Sequence, residues 1–374
     1  MAGLYIHIPF CKTRCNYCDF YSTTDNGLII RYVDTLRSEL RRRSSELRAD
    51  TVDTIYFGGG TPSQVDLKDL SDFISFAKQE LNVNPNAEIT IEVNPDDVDD
   101  EFIVKLQQSP FNRVSVGVQS FHDEDLLLLD RRHNSAEAFD TIRNIQSAGV
   151  SNISIDLMYG IPNLNKDKWL YNLETVAKLG VPHLSAYSLT YYENTKLTKL
   201  AGANNIKPVS EDEYVSQFYV LTDWAEANEF EHYELANFAK AACQSKHNSS
   251  YWTGIPYIGL GASAHSYDGK DKRSFNCSSL TEYVNRYGEC QAIEILSLRE
   301  KYNDYVLCSS RTIWGIDTDY VYNNFGKELH EKLLKKLSVL CGKQLLVENP
   351  SGSYIATREG YLQSNIIAEE LIEI

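Results

Sequence analysis

Apolar and polar residues alternate with a period of two over Leu4–Phe10, Val52–Phe57, Glu88–Asn94, Arg113–Ser120, Asn152–Tyr159 and Leu184–Thr190, and each run predicts a strand. Helical stretches separate them. The clearest are Ile29–Arg48, Leu67–Leu81, Asp123–Ala148 and Lys166–Leu179, the third closed by Gly149 as a stop. Strand alternating with helix calls for right-handed crossovers and a parallel sheet. Six such units within roughly 190 residues suit an α/β fold of the partial, open (β/α)6 barrel type.

The same alternation sorts residues to the two faces of the sheet. Ile89, Ile91 and Val93 belong under the helices, so Thr90, Glu92 and Asn94 point inward; Ser115, Gly117 and Gln119, then Ser154, Asp156 and Met158, repeat the pattern. Glu92, Gln119 and Asp156 are expected at equivalent heights near the C-terminal end of the barrel, where barrel enzymes carry their chemistry. A hydrogen-bonded polar plug would use the same residue types.

At 374 residues the chain has room for the barrel and a smaller appended unit. The reading is a barrel over 1–205, an extension and linker over 206–290, and a C-terminal domain over 291–374. From about Ser297 the pattern is helical, then Gln344-Leu-Leu-Val-Glu, a Pro350-Ser-Gly-Ser turn and Tyr354-Ile-Ala-Thr form a hairpin before a last helix, which suggests a winged-helix-like α+β cap. Acidic residues outnumber basic ones there, and the whole chain carries a net charge of −16, so no nucleic-acid partner is expected. No stretch has the roughly 18–20 apolar residues of a transmembrane segment. The N-terminus lacks the features of a secretory signal, which points to a cytoplasmic protein. In a reducing compartment 8 cysteines are not a disulfide framework.

Three of them, Cys11, Cys15 and Cys18, follow the first strand as C-x3-C-x2-C. Thiolates suit zinc or iron–sulfur clusters; structural zinc wants four ligands, whereas three on a four-iron cluster leave one iron open. Cys277, Cys290, Cys308 and Cys341 have no metal-like spacing and read as buried packing. Gly58-Gly59-Gly60-Thr61-Pro62 ends the second strand, either as a generic turn or as a place where backbone approaches a ligand closely. Gly259-Leu-Gly261-Ala-Ser-Ala-His265 has the same two readings.

The cysteine spacing resembles the radical S-adenosylmethionine (SAM) superfamily. Together with Tyr5-Ile-His-Ile-Pro-Phe-Cys11, Gly58-Gly-Gly-Thr-Pro-Ser63, Gly117-Val-Gln-Ser-Phe121 and Asp156-Leu-Met-Tyr-Gly-Ile-Pro162, it is similar to the oxygen-independent coproporphyrinogen III oxidase family. The resemblance implies a [4Fe–4S] cluster whose open iron binds SAM, with Tyr5, Gly59, Gly60, Thr61, Glu92, Gln119, Arg131 and Asp156 at SAM-binding positions. For Arg131 a solvated helix surface is the plain alternative. It also implies a reductant such as flavodoxin or ferredoxin.

Departures within that family point to its heme chaperone branch. The dehydrogenase branch adds a fourth cysteine where this chain has Phe20, and carries an N-terminal extension that this chain is read as lacking. His247-Asn-Ser-Ser-Tyr251-Trp252 matches the chaperone branch's HNxxYW motif. The resemblance thus implies heme or porphyrin as ligand, a heme-acceptor protein as partner, and His247 as a heme contact, with Cys243 a weaker second candidate. Read by itself, His247 is an ordinary core or surface histidine. The alternative within the family is oxidative decarboxylation of coproporphyrinogen III.

Overall fold

The computed structural model describes residues 1–203 and 206–374. Six parallel strands form its centre: β1 (Ala2–Ile8), β2 (Val52–Gly59), β3 (Val83–Val93), β4 (Arg113–Gln119), β5 (Asn152–Tyr159) and β6 (His183–Ser188), each paired with the next. Their apolar faces are fully covered; Ile55, Ile91, Val114, Val116, Ile153 and Ile155 pack beneath the crossover helices. The boundary expected at residue 205 lies outside the described residues.

The segment after it flanks both edges of this sheet. β7 (Glu231–Glu234) and β8 (Asn237–Ala239) add antiparallel to β6. β9 (Tyr257–Leu260) runs parallel to β1, followed outward by antiparallel β10 (His265–Tyr267), β11 (Lys272–Asn276) and β12 (Gln291–Ile295). The resulting order is β12-β11-β10-β9-β1-β2-β3-β4-β5-β6-β8-β7, an open barrel whose ends are not hydrogen-bonded to each other. Because β12 completes this sheet, residues 291–295 belong with the barrel extension rather than with the C-terminal unit.

A buried ionic knot fastens the first helix, Ile29–Arg43, to that extension. Arg43 and Glu39 pair at 3.0 Å with both side chains buried. Arg43 also donates to Gly259 O and Ser266 Oγ, each at 2.9 Å. Glu39 accepts from Gly261 N, Asn276 Nδ2 and Tyr283 OH. The charged groups of Arg43 and Glu39 are thus answered by protein partners, while Asn276 Oδ1 is buried without one among the described residues.

Two expectations are corrected. The predicted helix 123–148 is two helices, Asp123–Leu128 and Ser135–Ser147. Asp130 turns the chain at φ 60°, and Asn134 restarts it through a capping box with Glu137. Cys277 and Cys290, read as packing residues, form a disulfide with Cα atoms 5.4 Å apart. They meet where the β11 and β12 chains approach, Cys277 N donating to Cys290 O at 3.0 Å.

The C-terminal unit packs helices Leu298–Ser309, Thr318–Phe325 and Lys327–Gly342 with a hairpin of β13 (Leu346–Glu348) and β14 (Tyr354–Ala356), then two short helices. Leu333, Leu337 and Leu340, at helical spacing, meet Ile367 and Leu371 in its core. Among the described residues no helix is long and apolar enough to cross a membrane.

Candidate functional site

The cysteines sit on a loop closed at its base, where Cys11 N donates to Thr23 O at 2.9 Å and Thr23 N to Pro9 O at 2.7 Å. All three thiols are free, Cys11 buried and Cys15 and Cys18 half-buried. Burial pushes the Cys11 and Cys18 thiols up. Donors lie ready for the thiolate form: Thr61 Oγ1 reaches Cys11 Sγ at 3.4 Å and Arg131 Nη1 reaches Cys15 Sγ at 3.3 Å. Among the described residues no three candidate ligands converge on one point as a single ion needs. A four-iron cluster makes no such demand, since each thiolate takes a different iron, so the donor set fits three cluster ligands.

Arg131 is no surface residue. The broken helix turns it inward, where its Nη2 donates to Asn94 Oδ1 at 2.6 Å and Gly117 O at 2.5 Å, while its Nε is buried without a partner among the described residues. Thr61 accepts from Asn94 Nδ2 at 3.0 Å, so one network ties the glycine loop, the end of β3 and the cysteine loop together.

The glycine run fits close backbone approach. Gly59 has φ +113°, and a β-carbon there would lie 2.4 Å from the His7 ring. Gly59 N donates to Glu92 Oε2 at 3.2 Å, and Tyr56 OH donates to Glu92 Oε1 at 2.7 Å. Burial raises the Glu92 carboxyl to about 7. Asp156, hydrogen-bonded by Ser115 Oγ at 3.2 Å, is also pushed up by burial. Two carboxyls, the Arg131 guanidinium and open backbone groups match a ligand with ammonium, carboxylate and hydroxyl functions.

Equivalent heights do not hold, however. Glu92 is level with Ser115 and Ser154, Asp156 with Ser185, and Gln119 with Leu157. The register slips between Val116 and Gln119, where Gln119 takes φ 73°, so the three residues climb as a staircase.

His247 is buried, and both of its ring nitrogens meet protein hydroxyls. The short helix Lys246–Trp252 is anchored at its start by Lys246 N and His247 N, each donating to the Glu88 carboxylate at 3.1 Å. This turns the imidazole under β1 and β2: Nδ1 bonds Thr54 Oγ1 and Nε2 bonds Tyr251 OH, both at 2.8 Å, and the ring stacks 4.9 Å from Tyr56. Both nitrogens are used, and burial lowers the group to about 3, so it is neutral. The motif residues that do reach open space are Tyr251 and Trp252.

They line a cavity of about 1130 Å³ between the barrel mouth and the C-terminal unit. Tyr5 and His7 form its floor; Phe20 and Tyr21, from the cysteine loop, form one wall. Opposite stand Tyr257, Tyr267 and Arg273 of the extension and Tyr305, Cys308 and Trp314 of the C-terminal unit. Cys243 is not among its lining residues. The Gly259–His265 run is a tight turn at the edge of this cavity. Gly261 makes the turn at φ +103°, and Ser263, Ala264 and His265 line the cavity. The sequence alone assigns no role to His265, and the turn run is the one signal that points there.

Fold and cysteine loop together define a radical SAM protein, and the model of the Radical SAM superfamily matches residues 5–176. The chain superposes on the coproporphyrinogen III oxidase HemN of Escherichia coli with a TM-score of 0.83, covering 99% of this chain and 90% of that one at 22% identity, which speaks to the fold. It is 28% identical to the heme chaperone HemW of Lactococcus lactis over 99% of this chain and 97% of that one. The heme chaperone HemW of Mycobacterium tuberculosis is 32% identical over 71% of this chain and 70% of its own length. The chain belongs to the HemW family, whose radical SAM domain implies a [4Fe–4S] cluster and SAM.

Proposed function

We propose that this protein binds heme and passes it to an acceptor protein, on a scaffold that holds a cluster through Cys11, Cys15 and Cys18 and SAM in the barrel mouth. The observation that carries the reading is the aromatic cavity beside the cysteine loop. Its volume of about 1130 Å³ exceeds the roughly 300–1,000 Å³ of ordinary small-molecule pockets. Its walls are rich in tyrosine and tryptophan, which pack large planar faces while keeping a polar edge.

Under this reading Glu92, Asp156, Gln119 and Arg131 orient SAM, Tyr5 closes the barrel floor, and Gly59 and Gly60 admit its polar end. The cluster, when present, supplies one-electron chemistry that a flavodoxin- or ferredoxin-like donor would feed. Arg131 balances thiolate charge at Cys15, and the neutral Thr61 hydroxyl donates a hydrogen bond to the Cys11 thiolate. The cellular site that suits such a donor is the cytoplasm.

Anaerobic titration of the reconstituted chain with heme tests the proposal, with one heme per chain and a Soret shift expected. In parallel, coproporphyrinogen III with SAM and a reductant should give no vinyl product. Multiple turnovers to protoporphyrinogen IX would replace the chaperone reading with the dehydrogenase one.

A further inference from the structure

The proposed cargo needs an axial ligand, and the cavity contains few free ones. His7 uses both ring nitrogens, Nδ1 on Tyr5 OH at 3.0 Å and Nε2 on Tyr21 O at 3.1 Å. The Tyr251 hydroxyl is engaged with His247, and burial raises it well above the ordinary phenol range, so it is no phenolate. Burial likewise pushes the Cys308 thiol up to about 11, which keeps it protonated near neutral pH.

His265 is different. It stands at the start of β10, is exposed to the cavity, and neither ring nitrogen has a protein partner among the described residues. Its ring is held by stacking on Phe275, with centroids 5.6 Å apart and planes 29° apart. Stacking orients an imidazole without consuming its lone pair, which is what a ligand position asks for. Strand pairing sets His265 opposite Phe275 and Tyr267 opposite Arg273, so these side chains share one face of the extension.

The same cavity carries cations suited to a dianionic ligand edge. Arg273 is paired with Asp304. Lys270 and Lys301 line the cavity and have no ion pair among the described residues. Two free ammonium groups near an aromatic slot complement two propionates.

We infer that His265, rather than His247, is the axial ligand of a heme seated in this cavity, with Lys270 and Lys301 receiving its propionates. The inference rests on the heme reading above. It makes His247 a positioning residue, which holds Tyr251 at the cavity wall.

The experiment is a heme titration of the cluster-reconstituted full chain, read by absorption and electron paramagnetic resonance. His265→Ala should lose the imidazole ligand field and weaken binding by roughly 10- to 100-fold or more, the range in which even supporting groups of metal ligands act. Added imidazole should restore the native spectrum of that variant. His265→Met should still bind, with a thioether-shifted spectrum, which separates ligand loss from misfolding. Lys270→Ala/Lys301→Ala should weaken heme binding while leaving binding of heme dimethyl ester unchanged. A native spectrum and affinity in His265→Ala would overturn the ligand assignment alone. Absence of saturable heme binding by the native chain would overturn the functional reading together with it.

Discussion

Replacing Glu92 by Gln removes a carboxyl that the fold keeps protonated past the usual range. In the unfolded chain this group ionises near 4.5, and in the folded chain near about 7, because burial outweighs the bonds from Tyr56 and Gly59. A raised carboxyl contributes stability that is complete below 4.5 and is lost as pH climbs through about 7. Across that window the folded state forgoes roughly 1.4 kcal/mol per pH unit, or about 3 kcal/mol altogether. Gln copies the neutral carboxyl and escapes this loss. The stability of Glu92→Gln relative to the native chain should therefore rise by about 3 kcal/mol between pH 4.5 and pH 8, as measured by urea denaturation without cluster or SAM. Buried Trp169, on the helix between β5 and β6, provides the fluorescence signal. Under the proposed SAM site, saturating SAM should favour the ionised form and narrow the gap. A difference that stays flat from pH 4.5 to 8 would refute the argument that burial controls this carboxyl.

Cys11→Ala, Cys15→Ala and Cys18→Ala should each abolish reconstitution of about four irons and four sulfides per chain, whereas Cys308→Ala should retain both on iron and acid-labile sulfide assay. Glu39→Ala leaves the buried Arg43 guanidinium with Glu46 as its one remaining carboxylate and takes the acceptor from Gly261 N, Asn276 Nδ2 and Tyr283 OH, and should cost about 3–5 kcal/mol in chemical denaturation. A loss at the level of a surface pair would mean that the knot is hydrated. Gly59→Ala forces a β-carbon onto the His7 ring at a left-handed φ. It should lower the reconstituted cluster's response to SAM, seen in its electron paramagnetic resonance spectrum, while iron content holds. Arg131→Ala should shift the cluster's reduction potential downward, because a cation 3.3 Å from Cys15 Sγ is lost.

The barrel strands were legible because period two and buried β-branched faces are local properties, and β5 runs from Asn152 to Tyr159 as read. The cysteine loop was legible because its ligands lie within eight positions. What was missed depends on long-range geometry. Arg131 looked helical because nothing in the leucine-rich run before it announces the left-handed turn at Asp130. The stagger of Glu92, Asp156 and Gln119 comes from strand register, which alternation leaves free by two-residue steps. The motif around His247 was visible, but its orientation follows from Glu88, 159 positions away, accepting from its backbone. The Cys277–Cys290 bond depends on how β11 and β12 meet, which a separation of 13 does not reveal.

The loop pinned between Pro9 and Thr23 faces two ways. Its cysteines look toward the barrel mouth, and Phe20 and Tyr21 complete the cavity wall. Ordering such a loop costs conformational entropy once, whichever side imposes the order. Any free energy that cluster assembly spends in fixing residues 12–22 is then already supplied to a molecule that packs on Phe20 and Tyr21. Linkage makes the relation mutual: a molecule held in the cavity strengthens retention of the cluster by the same factor by which the cluster strengthens retention of that molecule.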